Sequence, residues 1–302
     1  MNLINLRATI AKMSKPRLID SKYNYALSQV FGSSLVKKIN DTKYEQDLQI
    51  LLKNSNIYPK NKRWDLVQGL ELAYNYLRQN YRCEYVYMNE IANQLLLKFH
   101  NDNSATLLKE LASNSSIADI VIVNGSTIAY EIKTELDTFD RLDSQLESYQ
   151  MLYDRVNVVT YPEAVETISK KIDGAIGIIV LDENNELITI REAGFCRHKF
   201  KPSKAIFTLR QIELVRAYEQ YIGKFPEMGT GLIYDFCHEW FLKLNSKEAH
   251  QIFHDALKLR KPSVHQFELI SNCKPSLKML FLGKELSKNY CGATLPRLGI
   301  FV

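Results

Sequence analysis

The chain of 302 residues is short of several things, and each shortage excludes a class of protein. It has only twelve glycines and no long polar tract, which excludes a disordered or linker-rich polymer. It has no run of 18 or more apolar residues, so no membrane-spanning helix is expected. The five cysteines (Cys83, Cys196, Cys237, Cys273 and Cys291) are odd in number and contain no Cys-x-x-Cys pair. Reduced thiols in a cytoplasm fit them better than a disulfide framework. Met1-Asn2-Leu3-Ile4-Asn5-Leu6-Arg7 lacks a charged leader followed by an apolar stretch, so no secretory signal is expected. Neither sign of charge dominates. The net charge of +5 permits nucleic acid as a partner without demanding it.

What is present is an ordinary globular balance of 46% hydrophobic and 24% charged residues. The length predicts one core with helical additions, or two domains. Residues 1–82 read as helical: apolar residues recur at three- and four-residue spacing over Tyr23 to Lys38, Tyr44 to Lys53 and Trp64 to Tyr81. From residue 83 the pattern changes. A helix is expected over Met88 to His100, then the polar turn Asn101-Asp102-Asn103-Ser104, a strand over Thr106 to Leu111 and a hairpin over 117–133. A helix of about five turns, Leu136 to Tyr153, comes next, followed by a strand over Val156 to Thr160. Pro162 opens another helix, to about Lys171. Strands over Ala175 to Leu181 and Leu187 to Arg191 complete an α/β region at 83–194, a mixed sheet with helices on both faces. Residues 195–302 return to helix, punctuated by prolines.

The hairpin is the most informative segment. Ile117-Ala118-Asp119-Ile120-Val121-Ile122-Val123 and Ala129-Tyr130-Glu131-Ile132-Lys133 flank Asn124-Gly125, a strong hairpin signal. Period-two alternation puts Glu131 and Lys133 on one face of their strand. Acid and base converging from a buried hairpin suit a divalent metal and a phosphate. Hard Mg²⁺ takes carboxylate, carbonyl and water oxygens, and Mn²⁺ can replace it. Asp119 and Glu131 are the expected carboxylates and the Ile132 carbonyl a third oxygen, with Lys133 orienting an attacking water.

Asp119, eleven intervening residues and then Glu131-Ile132-Lys133 at a strand end, in a helix–strand–strand–strand–helix–strand frame, resembles the PD-(D/E)XK nuclease superfamily. Gln145-Leu146-Glu147-Ser148-Tyr149 is similar to the Gln-x-x-x-Tyr element of its RecB-like branch. The stretch Tyr130 to Leu142 resembles more closely a bacterial and phage family within that superfamily. Over roughly residues 85–192 the resemblance implies a restriction-endonuclease-like core and Mg²⁺-dependent cleavage of DNA or, more rarely, RNA. It further implies a setting in phage defence or mobile-element conflict. Ala118 stands where the nominal motif has proline. The resemblance also implies an upstream acid on the first helix. Glu90 is the first choice and Glu110 the second. Gln145, Tyr149 and Arg141 are the expected substrate-side residues.

Blander readings compete at each point. The acidic cluster could be a salt-bridged strand edge, and Arg141 could pair with Asp137 on the helix surface. His250 and His254 stand at i and i+4 without the glutamate of a zinc-protease helix. Cys196, His198, Cys237 and His238 lack the short cysteine spacing of a zinc site. The basic runs Lys60-Asn61-Lys62-Arg63 and Lys258-Leu259-Arg260-Lys261 could track phosphates or be solvated loop ends. Tyr74, Tyr76 and Tyr81 suit packing better than base stacking. Two other classes stay open: a non-catalytic nucleic-acid- or partner-binding module on the same fold, and a helical adaptor using residues 195–302.

Overall fold

The computed structural model describes residues 22–57, 64–97 and 105–301. The run Lys60-Asn61-Lys62-Arg63 and the turn Asn101-Asp102-Asn103-Ser104 lie outside the described residues. Four helices open the described chain: α1 (Lys22–Gln29), α2 (Ser34–Lys38), α3 (Thr42–Asn54) and α4 (Leu66–Asn80). The two longer ones start on extended aspartates whose carboxylates accept first-turn N–H groups, Asp41 from Lys43 and Asp65 from Gln68. Gln68 reciprocates to close a capping box.

Helix α5 (Glu84–Ile91) begins four residues before the expected start at Met88 and passes into a wider π-type segment, Ala92–Leu97. Tyr87 and Ile91, one turn apart and fully buried, drive its earlier turn against the core. Cys83 offers no side-chain cap, which is why the start was hard to read.

The sheet has six strands in sequential order: β1 (Thr106–Ser113), β2 (Ser116–Val123), β3 (Thr127–Ile132), β4 (Arg155–Thr160), β5 (Gly177–Leu181) and β6 (Leu187–Arg191). β1, β2 and β3 pair antiparallel, β3, β4 and β5 parallel, and β6 returns antiparallel on β5. The hairpin turn carries Gly125 at φ +67°, a left-handed conformation that glycine adopts without strain. The sheet is therefore mixed, as the alternation of strand and helix signals predicts.

Helix α6 (Leu142–Gln150) is shorter than the expected Leu136 to Tyr153. The Thr134 N–H and hydroxyl both donate to Asp137, at 2.9 and 2.7 Å, and this local turn takes the backbone away from a helix. Helix α7 (Val165–Lys171) follows the short turn opened by Pro162.

Helices cover both faces of the sheet, and each face has its own core. One core joins α1 to α5 with the outward residues Ile120, Ile122, Tyr130 and Ile132. The other joins α6 and α7 with Val121, Val123, Ala129 and Val158. The chain after β6 serves both. Helices α8 (Pro202–Ala205), α9 (Gln211–Tyr221), α10 (Ile233–Lys243) and α11 (Ser246–Lys258) complete the second core. Helices α12 (Val264–Asn272), α13 (Lys278–Leu282) and α14 (Lys288–Arg297) complete the first. Between α11 and α12 the chain crosses from one face to the other.

Asp154, just before β4, fastens this wrapping. It is fully buried and accepts hydrogen bonds from the Thr127 N–H at 2.8 Å and from Arg197 Nε at 2.7 Å. His250 Nε2 of α11 stands 3.0 Å from the oxygen that Arg197 contacts. Burial works against the charge, but His250, Arg197 and Thr127 hold the carboxyl below its ordinary range. No helix among the described residues is long and apolar enough to cross a membrane.

Candidate metal centre

Asp119 sits inside β2, Glu131 near the end of β3 and Lys133 immediately beyond it. Strand pairing aims them. Lys133 N–H still donates to Val159 at 2.9 Å, so β3 geometry persists through Lys133, and Glu131 and Lys133 share a face. Lys133 Nζ donates to Glu131 Oε1 at 2.7 Å. Asp119 reaches across the hairpin, its Oδ2 accepting the Ile132 N–H at 2.7 Å. Glu131 is 1% exposed, Lys133 is buried and Asp119 is half-buried.

Helix α6 supplies the rest. Gln145 and Tyr149, at i and i+4, both face the strand end, as their spacing predicts. Lys133 Nζ also donates to Gln145 Oε1, at 3.1 Å. The Tyr149 hydroxyl stands 2.8 Å from Glu131 Oε2 and 2.6 Å from the Ile117 carbonyl. Burial, followed by the Glu131 charge, raises the Tyr149 pKa, so the hydroxyl keeps its proton and remains a donor. Gln145 and Tyr149 thus engage Lys133 and Glu131 themselves.

The electrostatics are out of balance. Burial first, then repulsion from Glu131, push the Asp119 carboxyl up to about 8, against the opposing Ile132 N–H and Lys133 ammonium. Glu84 adds to the repulsion. This residue, in the first turn of α5, is the acid that sequence reasoning missed. It keeps an exposed surface but stands in a crowded recess. That crowding raises its carboxyl, Lys109 acts the other way, and Glu110, Asp137 and Glu131 add to the rise. An acid one turn before the buried Tyr87 is the available signal, and a helix expected from Met88 leaves it out.

Of the expected third acids, Glu90 lies away from the hairpin, whereas the β1–β2 ladder sets Glu110 across from Asp119. Glu90 is buried among the N-terminal helices, accepting from Tyr74 at 3.1 Å and Gln94 at 2.9 Å, with Arg78 Nε at 3.1 Å. Those three partners satisfy it, and none belongs to the hairpin. Glu110 is exposed, pairs with Lys109 at 2.8 Å and has φ +50°. Arg141 is exposed and forms no ion pair among the described residues, because Asp137 turns to Thr134 instead.

Asp119, Glu131 and the Ile132 carbonyl are hard oxygen donors at one strand end, which is the donor chemistry that suits Mg²⁺ or Mn²⁺. Among the described residues no three His, Cys, Asp or Glu side chains already stand close enough to share one ion. All five cysteines are free and buried, so the zinc alternative has no assembled site there either. Tyr74 packs against Phe31 and Tyr85, as the packing reading expects.

The profile of the bacteriophage P4 protein cII family matches residues 77–273, a span that holds Glu84, Asp119, Glu131, Lys133, Gln145 and Tyr149. Protein cII of Enterobacteria phage P4 is 32% identical over 91 residues, 30% of this chain and 34% of that protein. The chain thus aligns with about a third of that relative's length. No solved structure matches the chain.

Proposed function

The chain belongs to the bacteriophage P4 protein cII family, and we propose that this member is a divalent-metal-dependent nuclease acting on DNA. The convergence of Asp119, Glu131 and Lys133 at one strand end carries the reading: Asp119 reaches the Ile132 N–H at 2.7 Å and Lys133 Nζ reaches Glu131 at 2.7 Å, and burial, then repulsion from Glu131, push the Asp119 carboxyl up, which a bound cation would reverse. The antiparallel hairpin continued by two parallel strands supports a restriction-endonuclease-like core of the PD-(D/E)XK kind. Its use in phage conflict rests on the resemblance and on the family's phage origin.

In this reading Asp119, Glu131 and the Ile132 carbonyl hold Mg²⁺, and Glu84 completes the acidic side. The bound ion supplies an activated water and offsets charge on the phosphate oxygens. Lys133 presents its ammonium to the water and to the developing oxyanion. Gln145 fixes that ammonium from the far side. Tyr149 steadies Glu131 against the Ile117 carbonyl.

A second reading, a binding module without cleavage, is favoured by one observation: both Glu131 oxygens already have partners, Lys133 and Tyr149. Incubating linear and circular DNA with the protein in Mg²⁺, Mn²⁺ or chelator separates the two. Degradation in either metal, absent with chelator, is the expected outcome. Intact DNA under all conditions refutes the nuclease reading.

A further inference from the structure

A cleft of about 660 Å³ lies along the outer side of β1, the edge strand next to β2. The crossing segment between α11 and α12 closes it on one side and α9 on another. Both ends of β1 are tied to the C-terminal helices: the Thr106 hydroxyl donates to the Lys258 carbonyl at 2.7 Å, and the Thr208 hydroxyl to the Ala112 carbonyl at 2.8 Å. Between these ties Leu107 to Leu111 face the cleft.

The lining is basic. Glu213 is held by Arg260 at 2.7 Å and Glu110 by Lys109 at 2.8 Å, so these acids are neutralised within the wall. Asp255 accepts from Gln251, and Glu285 is exposed. Arg210, Arg216, Lys261 and Lys284 are exposed on the rim and form no salt bridge among the described residues. The exposed ring of Tyr221 lies in the same lining.

The cleft also leads to the acids. Lys109 and Glu110 line it, next to the strand that carries Asp119. The β1–β2 ladder pairs Lys109 with Ile120 and Leu111 with Ala118, which puts the left-handed Glu110 across from Asp119. A non-glycine residue held at φ +50° inside a strand marks a place where the fold keeps an unfavourable conformation.

We propose, building on the nuclease reading, that this cleft holds the phosphate backbone of a single-stranded stretch of nucleic acid and leads it past Lys109 to the acidic cluster. Unpaired cations around a recess, with an aromatic ring for a base, are how sequence-tolerant single-strand grooves are built. A duplex is a stiff rod with a persistence length of about 50 nm and cannot bend into a recess of this size. An extended peptide could add to the β1 edge, but it would leave the rim cations without anions.

The test is fluorescence anisotropy in chelator, with the full chain and a labelled single-stranded oligothymidylate or a duplex of equal length, over a series of salt concentrations. The wild type should prefer the single strand. Changing Arg210→Gln, Arg216→Gln and Lys284→Gln together should flatten the slope of log affinity against log salt by roughly 2, at about 0.7 per lost cation. These side chains are exposed, so circular dichroism melting should stay unchanged. Unaltered affinity and slope in the triple variant, a preference for duplex, or a wild type that binds neither strand overturns the proposal; a peptide-binding cleft gives the first of these. Cleavage with unaltered binding in the variant sinks the cleft alone. Intact DNA in metal, with the binding result as expected, sinks the nuclease alone.

Discussion

Asp119, inside β2, and Asp154, just before β4, belong to one sheet, and their surroundings treat them in opposite ways. Asp154 is buried beside a guanidinium, an imidazole and a backbone N–H, and its charge is held below the usual carboxylate range. Asp119 is half-buried beside Glu131, with the Lys133 ammonium to offset the pair, and burial followed by repulsion from Glu131 raises its carboxyl to about 8. The first arrangement is complete. It joins β3, β4 and α11 and needs nothing from outside. The second has one ammonium beside two acids, and the cation of the proposed reading would supply the missing charge. Burial by itself says little about purpose; whether the partners balance the charge says more.

The comparison can be broken in four ways. The largest effect is on chemistry: Lys133→Ala should lower metal-dependent cleavage by about 10² to 10⁴-fold, read by plasmid degradation, with an unchanged circular dichroism spectrum. Cleavage at the wild-type rate would remove Lys133 from the mechanism. Next comes stability. Asp154→Ala should cost on the order of 3 kcal/mol in urea unfolding, because His250 and Arg197 lose the charge they face. An equal loss from Asp119→Asn would erase the distinction between the two aspartates.

The third prediction concerns pH. Asp119 has a folded-state pKa raised above its unfolded value near 4, so the folded state binds the extra proton between about pH 4 and 8. Stability of the metal-free protein should therefore fall as pH rises through that window. The slope from this group is at most about 1.4 kcal/mol per pH unit, and shallower because Asp119 keeps part of its surface in solvent. Asp154 has the opposite sign: its contribution is complete above about pH 4 and is lost on further acidification. Urea midpoints measured from pH 3 to 9 should show both limbs, and Asp119→Asn or added Mg²⁺ should flatten the upper one. The smallest effect belongs to Tyr149→Phe. It removes the hydroxyl between Glu131 and Ile117 and should cost about 1 kcal/mol in thermal unfolding.

Much of this was legible in one dimension. Strands β2 to β6 follow from β-branched runs and turn residues, and Asn124-Gly125 marks the hairpin. Alternation alone puts Glu131 with Lys133, and the four-residue step of α6 brings Gln145 and Tyr149 to them. The errors were local competitions. Thr134 and Asp137 form a turn that overrides the helical spacing counted from Leu136, and α5 starts on a cysteine that offers no cap. Glu90 stands near the helix start expected at Met88, but Tyr74, Arg78 and Gln94 satisfy it away from the hairpin.

The order of residues determined the hairpin, the face shared by its acid and base and the pair on α6, because periods of two and 3.6 residues are properties of the backbone. Tertiary structure decided that Glu90 is satisfied away from the hairpin, that Asp154 is paired with cations while burial pushes Asp119 up, and that the last hundred residues wrap both faces and leave a basic recess beside β1. Those outcomes depend on side chains far apart in the chain sharing little solvent, and charge balance at such distances has no period for a sequence to display.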